Sequence, residues 1–417
     1  MTLVMCLAAT FLSTAPSLNV PMQLVMIGLA YVTLLGAVMR RSMPLSAPTF
    51  FLVMYGIVAA ALAVLTEHSL GSAIKGTAFA ALVIVAVSAT DLSGPHRSAR
   101  VALTWFPALV CGIALVGFAV DRPDAYLNYG GGFSRLTIPF VQTHPNTLGA
   151  IAALGLSVAI WRITQGERTV GSIAALISAV PTIVLTYSRS ALLDVLVAGA
   201  VVLILLRRQL RAIVLLAAPV VTAAVILGDR LAALLARTQT TDQLADLSGR
   251  IPLWQVGLTA WLANPMLGTG YGNGANQAIH RSGVYLAYDV STTDNVLLDA
   301  LLETGVVGGL MMLLALLSAL WKVLAVRRAR MIRSQRRTIA ISAAMVVAIV
   351  VFHGMGAGGP GRFHVLTAML VIGVTILKVQ ARQGDENASA GPVHPTTAGE
   401  CEPASLGRGR SVIEEQH

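Results

Sequence analysis

Charge is scarce in this 417-residue chain: Asp, Glu, Lys and Arg together supply 12% of it, against 56% hydrophobic residues. Soluble globular domains carry about 25% charged residues, so the shortage excludes a set of water-soluble domains with apolar cores. Cysteine is nearly missing as well. Cys6 and Cys111 fall in apolar runs and Cys401 in the C-terminal tail, a distribution that builds neither a disulfide framework nor a metal spacing. No His/Glu or Cys/His pair has ligand spacing either, and His280, His353 and His364 are scattered. Long polar segments are rare too, residues 229–295 being the exception.

What fills the chain is apolar runs, with a mean hydropathy of +0.75. A run of about 20 apolar residues crosses the hydrocarbon as a helix, the open-chain geometry that satisfies its own backbone hydrogen bonds. About twelve runs qualify, at roughly 3–15, 20–39, 46–65, 72–90, 99–120, 142–161, 169–187, 190–206, 211–228, 296–321, 338–356 and 363–379. The expected fold is therefore all-α: a polytopic integral membrane protein with an outward-facing helical loop between spans nine and ten. The first run is short and the fourth contains Lys75. The first also resembles a secretory signal, but it lacks a positive n-region, which favours a span over a cleaved segment.

Basic clusters mark alternate connections: Arg40-Arg41, Arg97 with Arg100, Arg162 with Arg168, Arg207-Arg208 with Arg211, and Lys322 through Arg337. Lys and Arg near span ends favour the cytoplasmic side. Both termini are thus expected in the cytoplasm of a plasma-membrane protein, with residues 229–295 outside. The net charge of +10 follows from this bias and does not imply nucleic acid; a basic cytoplasmic rim suits anionic membrane lipids. Residues 1–382 read as one membrane domain. Residues 383–417 turn to Gly, Pro, Ala, Glu, Ser and Thr and read as a disordered cytoplasmic tail.

The polar residues at the outward ends carry the chemistry, if there is any. Arg189 lies in Thr186-Tyr187-Ser188-Arg189-Ser190, where two spans meet with almost no loop. It is either a snorkelling side chain at a helix end or an anion site, its planar fork suiting a phosphate. Arg250 follows Ser248-Gly249 and opens an amphipathic stretch, Ile251 to Leu262, with Trp254 and Trp261. It is a solvated loop arginine or, with Arg189, half of a pyrophosphate clamp that absorbs charge as a diphosphate leaves. The glycines at 268, 270, 272 and 274 form either a nest of amide donors, with Gly270 and Gly272 near ligand, or a tight re-entrant turn.

Asp294 is a helix N-cap or a carboxylate that takes a proton from an attacking hydroxyl. Asn295, Asp299 and Glu303 share one helical face and should meet protein or a water-filled cavity. His144-Pro145-Asn146 opens the sixth span, with His144 and Asn146 either lining the same cavity or capping and rigidifying the entry. Arg362 is a reserve candidate for the anion site.

Taken together, the Thr186–Ser190 motif, Ser248-Gly249-Arg250, Trp254, Asn264-Pro265 to Gly272, and Asp294-Asn295 to Gly305 resemble the O-antigen ligase and polymerase superfamily, over roughly residues 140–325. The resemblance implies a metal-independent glycosyltransferase of the GT-C type that needs no cofactor. Its donor would be a glycan on undecaprenyl diphosphate, passed at the outer leaflet to a lipid, protein or glycan acceptor, with inversion. Arg189 and Arg250 match the arginines proposed to hold the diphosphate, and Tyr187 and Ser188 come with them as substrate-binding residues. The ligases usually carry His-Asn where this chain has Asp294-Asn295, so either Asp294 replaces that histidine or the acceptor differs. Ligase and polymerase both stay open. The competing class is a secondary transporter, with Asp194 and Lys75 as intramembrane charges.

Overall fold

The computed structural model describes residues 2–12, 19–39, 45–65, 69–128, 134–139, 141, 143–206, 250–272, 274–281, 292–326, 334–357 and 364–389. Apolar runs become helices throughout. We label them α1 (Thr2–Leu12), α2 (Asn19–Met39), α3 (Ala47–Leu65), α4 (Leu70–Ser93) and α5 (Pro95–Ala119), the last with a π-helical turn at Val101–Trp105. A hairpin of two short antiparallel strands follows, β1 (Tyr126–Asn128) and β2 (Ser134–Leu136), with Leu127 opposite Arg135. Then come α6 (Pro145–Thr164), α7 (Val170–Thr186), α8 (Arg189–Leu206), α9 (Arg250–Ala263), α10 (Gly274–Arg281), α11 (Val296–Val326), α12 (Ser334–Ala357) and α13 (Val365–Ser389).

The protein is all-α and polytopic. Among the described residues eight helices are long and apolar enough to cross a membrane: α3, α4, α5, α6, α8, α11, α12 and α13. The apolar helix α7 and the Pro21–Ala30 part of α2 are shorter. The expected span at 211–228 lies outside the described residues, as do Ser248-Gly249, Arg362 and the chain beyond Ser389. Helix α13 itself runs through Ser389, past the expected end of the membrane domain at 382. The hairpin is an element that the hydropathy reading left as loop. The signal was present, because two short stretches flank the glycines at 130–132, a hairpin pattern.

Helices α6 and α12 form the centre, almost wholly buried, while α8 and α11 keep exposed leucines and valines such as Leu193, Leu196, Leu310 and Leu317. An apolar exterior around a buried centre is what lipid as solvent selects. The ends of α5, α7 and α12 and the starts of α6, α8 and α11 lie at the same end of the bundle by connectivity, where the hairpin and α9 also sit.

Helix α11 is interrupted. Gly305 takes φ 66° and ψ −166°, outside helical geometry. The Val306 N–H, which would reach back to the Leu302 carbonyl in a continuous helix, donates to the Pro265 carbonyl at 2.8 Å. The Leu302 carbonyl accepts the Thr269 N–H at 2.7 Å, and the Glu303 carbonyl accepts the Gly270 N–H at 3.1 Å. The glycine-rich loop thus replaces the missing rungs of the helix, as buried backbone groups require. A Cβ on Gly268 would sit 2.7 Å from the Glu303 carbonyl carbon, and one on Gly305 would strike the Met266 carbonyl.

Both steric and conformational penalties apply at Gly305, where φ is positive. We therefore expect Gly305→Ala to lower stability by more than about 1–3 kcal/mol, the cost of backbone strain alone. Thermal unfolding of the purified variant in detergent checks this, and an unchanged melting temperature would contradict it.

Candidate functional site

The junction of α7 and α8 is built by an arginine that the sequence reading passed over. Arg135, on β2, is 3% exposed, and its guanidinium bridges two helix ends. Its Nε donates to the Thr186 carbonyl at the end of α7 at 2.8 Å, and its Nη2 donates to Asn146 Oδ1 in the first turn of α6 at 2.7 Å. Asn146 Oδ1 also accepts from the Ser188 hydroxyl, at 3.4 Å. Ser188, buried, shares a 2.9 Å hydrogen bond with the Ser190 hydroxyl. Asn146 and Ser188 therefore hold the junction together. The signal for Arg135 was its place beside a hairpin turn in a chain short of charge.

Tyr187 ends α7 in the left-handed conformation, φ 48°, and this reverses the chain so that Arg189 starts α8. Among the described residues only Asp121, Tyr187 and Asp294 are non-glycines with positive φ. Two of the three therefore stand beside the proposed clamp residues. Such backbone costs on the order of 1–3 kcal/mol, less for Asp, and persists where surrounding contacts impose it.

Arg250 and Asp294 do meet. Arg250 Nε lies 3.5 Å from Asp294 Oδ2, both side chains being partly open to solvent. Asp294 Oδ1 accepts from the Thr292 hydroxyl at 3.1 Å. The N-cap expectation for Asp294 passes to its neighbour: Asn295 Oδ1 accepts the N–H groups of Leu297 and Leu298 at 3.1 and 3.2 Å. The turn before α11 is fixed from two sides. The Trp254 indole donates to the Thr293 carbonyl at 2.9 Å, while Asp299 Oδ1 accepts the Thr293 amide and hydroxyl at 2.8 and 2.7 Å. Asp299 and Glu303 are both buried, so the polar face of α11 meets protein.

Arg189 and Arg250 each begin a helix, α8 and α9. His144 joins them. It caps α6, with its Nδ1 accepting the Asn146 N–H at 3.2 Å. The ring keeps surface open to solvent while neighbouring side chains crowd it. Burial, then the charge of Arg135, push its pKa down to about 4 from 6.5; Asp294 pulls the other way, and His353 and Arg250 add to the depression. Neutral at pH 7 and accepting at Nδ1, the ring carries its proton on Nε2 and presents a donor. The charges of Arg135, Asp294 and Arg250 all act at His144, so these residues lie near one another at this end of the bundle.

The glycine loop does not line it as a nest. Gly270 gives its N–H to Glu303, and Gly272 packs on the Lys75 side chain. Among the described residues no group of three or more His, Cys, Asp and Glu is placed to hold a metal ion.

Part of the chain is similar to a known family. Residues 173–313 match the O-antigen ligase family model. An O-antigen ligase domain is thus detected over part of the chain, from the first turn of α7 into α11, in line with the motif resemblance. The match contains Arg189, Arg250, the glycine loop and Asp294, whereas Arg135, His144 and His353 lie outside the matched O-antigen ligase region. No curated protein matches the chain.

Because the folded state favours neutral His144, protonation below pH 6.5 opposes folding. That part of the stability is present above about 6.5 and is lost as pH falls toward about 4. We expect His144→Gln to lose less thermal stability than the unsubstituted protein between pH 7 and about 4. Equal losses in the two proteins would contradict the assignment.

Proposed function

We propose that the chain transfers a glycan from undecaprenyl diphosphate to a hydroxyl or amide acceptor at the outer leaflet, as an O-antigen-ligase-type ligase or polymerase. The observation that carries this is that Arg189 and Arg250 each open a helix at one end of the bundle, where a recess between them would take the diphosphate. Two like charges so placed oppose each other until an anion lies between them. Helix N-termini add partial positive charge, and α6, α8, α9 and α11 all begin near the recess. A diphosphate satisfies this arrangement better than a single carboxylate does.

In the reaction an acceptor oxygen or nitrogen attacks the anomeric carbon from the face opposite the diphosphate. The bond from that carbon to the diphosphate oxygen breaks, its electron pair goes to that oxygen, and the configuration inverts. Arg189 and Arg250 take up the developing charge, in the manner of donors aimed at a transition state. Asp294 balances Arg250 and keeps its fork oriented. Tyr187, Ser188, Asn146 and the Nε2–H of His144 border the place where the glycan would lie. In this reading the recess faces outward, and the exposed Leu258, Leu262, Met266 and Leu267 would rest against lipid, as an interfacial helix does.

One feature favours the transporter alternative: a broken helix, which many carriers use to expose backbone carbonyls to an ion. Here the Leu302 and Glu303 carbonyls accept from the glycine loop, which leaves the arginines as the better basis for function.

We expect Arg189→Ala and Arg250→Ala each to lower transfer by about 10²–10³-fold, the usual effect of removing one such donor. Arg250→Lys should keep part of the activity, since charge survives and the fork does not. Product analysis with a lipid-diphosphate glycan and the purified protein measures this. Full transfer by both alanine variants would overturn the clamp.

A further inference from the structure

Glycan transfer to a hydroxyl releases a proton, and the group that takes it has to be a free base within reach of the recess. Asp294 fits poorly: Oδ2 faces Arg250 and Oδ1 holds the Thr292 hydroxyl. His144 fits poorly too, because its Nδ1 already accepts a backbone N–H. A different pair lies beneath them. His353 of α12 and Asp194 of α8 approach to 2.9 Å, Nδ1 to Oδ2, with side chains 1% and 0% exposed.

Two atoms of this pair, His353 Nε2 and Asp194 Oδ1, are buried without a hydrogen-bond partner among the described residues. Burying a polar atom unsatisfied is destabilising, so a buried pair that leaves two such atoms is a poor structural strut. Ionisable residues inside a span are functional by default. The location is also telling. Asp194 stands five residues into α8 from Arg189, about 7.5 Å along the helix axis. His353 stands four residues before the end of α12, the end of the bundle at which α8 begins. The pair therefore lies below Arg189 in the bundle.

We infer that His353 is the proton acceptor of the transfer reaction and that Asp194 is the residue that positions it; this rests on the glycan-transfer reading above. Asp194 Oδ2 accepts the Nδ1–H, which fixes the tautomer whose lone pair is on Nε2. A nucleophile's base held by a third group is a recurrent catalytic arrangement. As the acceptor oxygen bonds to the anomeric carbon, its O–H bond breaks. The proton passes to His353 Nε2, directly or through one water entering from the recess, while the glycosidic electron pair leaves with the diphosphate. His353 then returns the proton to water. In this scheme a histidine does act as the base, but it comes from α12 and not from position 294.

The test is steady-state transfer by the purified full-length protein from an undecaprenyl-diphosphate glycan, with thermal unfolding followed in parallel. His353→Ala should lose about 10²–10⁴-fold in kcat, the usual contribution of a general base, with little change in donor KM. Added imidazole should restore part of the His353→Ala activity and none of the Asp194→Asn activity. Asp294→Asn should raise donor KM more than it lowers kcat. If the alanine variant does not fold, His353→Gln replaces it, and a folded glutamine variant lacking turnover supports the assignment. The inference is overturned by a His353 variant within tenfold of normal kcat, or by a folded His353→Ala protein that imidazole does not rescue. Absence of transfer by the unsubstituted protein would overturn the glycan-transfer reading, and this inference with it.

Discussion

The fork of Arg135 is the contact on which the site depends. One guanidinium ties a carbonyl at the end of α7 to the Asn146 side chain at the start of α6, and Asn146 in turn holds Ser188. A buried arginine is tolerated only when its donors are satisfied, and the open carbonyls at a helix end supply what it needs. The left-handed turn at Tyr187 is held in place by these contacts, and that turn is what sets Arg189 at the head of α8. Lysine at 135 would keep the charge and lose the two-directional geometry.

The other half of the site is built by backbone exchange. By breaking α11 at Gly305, the chain frees carbonyls that the 264–270 segment occupies, and this docks the loop on the helix. Helix α9 immediately precedes that loop, and Trp254 fastens α9 to the carbonyl beside Asp294. Arg250 and Asp294 are thus brought together by the packing of one loop. Two separately braced halves then face each other, one bearing Arg189 and His144, the other Arg250 and Asp294. Asp294 balances Arg250 within its own half.

Much of the fold was legible because a span needs only a run of apolar residues, and the long helices follow those runs closely. Arg189 could be singled out for a related reason: charge at the end of a span stands out against an apolar background, whereas Arg250 stood out through the amphipathic stretch it opens. Long-range hydrogen bonding was not legible. Hydropathy gives no sign that the alternate glycines serve a helix break and not a ligand, nor that Asn295 rather than Asp294 caps α11. Arg135 was hidden in a loop because its partners are a backbone carbonyl and an amide on other elements. His353 and Asp194 are far apart in the chain and follow no spacing rule, so only the packing of α8 on α12 reveals them as a pair.

The central claim is that two arginines on separately braced helix ends hold a lipid diphosphate. An experimentally determined structure of the full chain with undecaprenyl diphosphate bound tests it most directly. The account predicts the diphosphate between Arg189 and Arg250, with the Arg250–Asp294 contact opened to admit it. A diphosphate bound elsewhere on the protein, with that contact intact and Arg189 facing lipid, would contradict it.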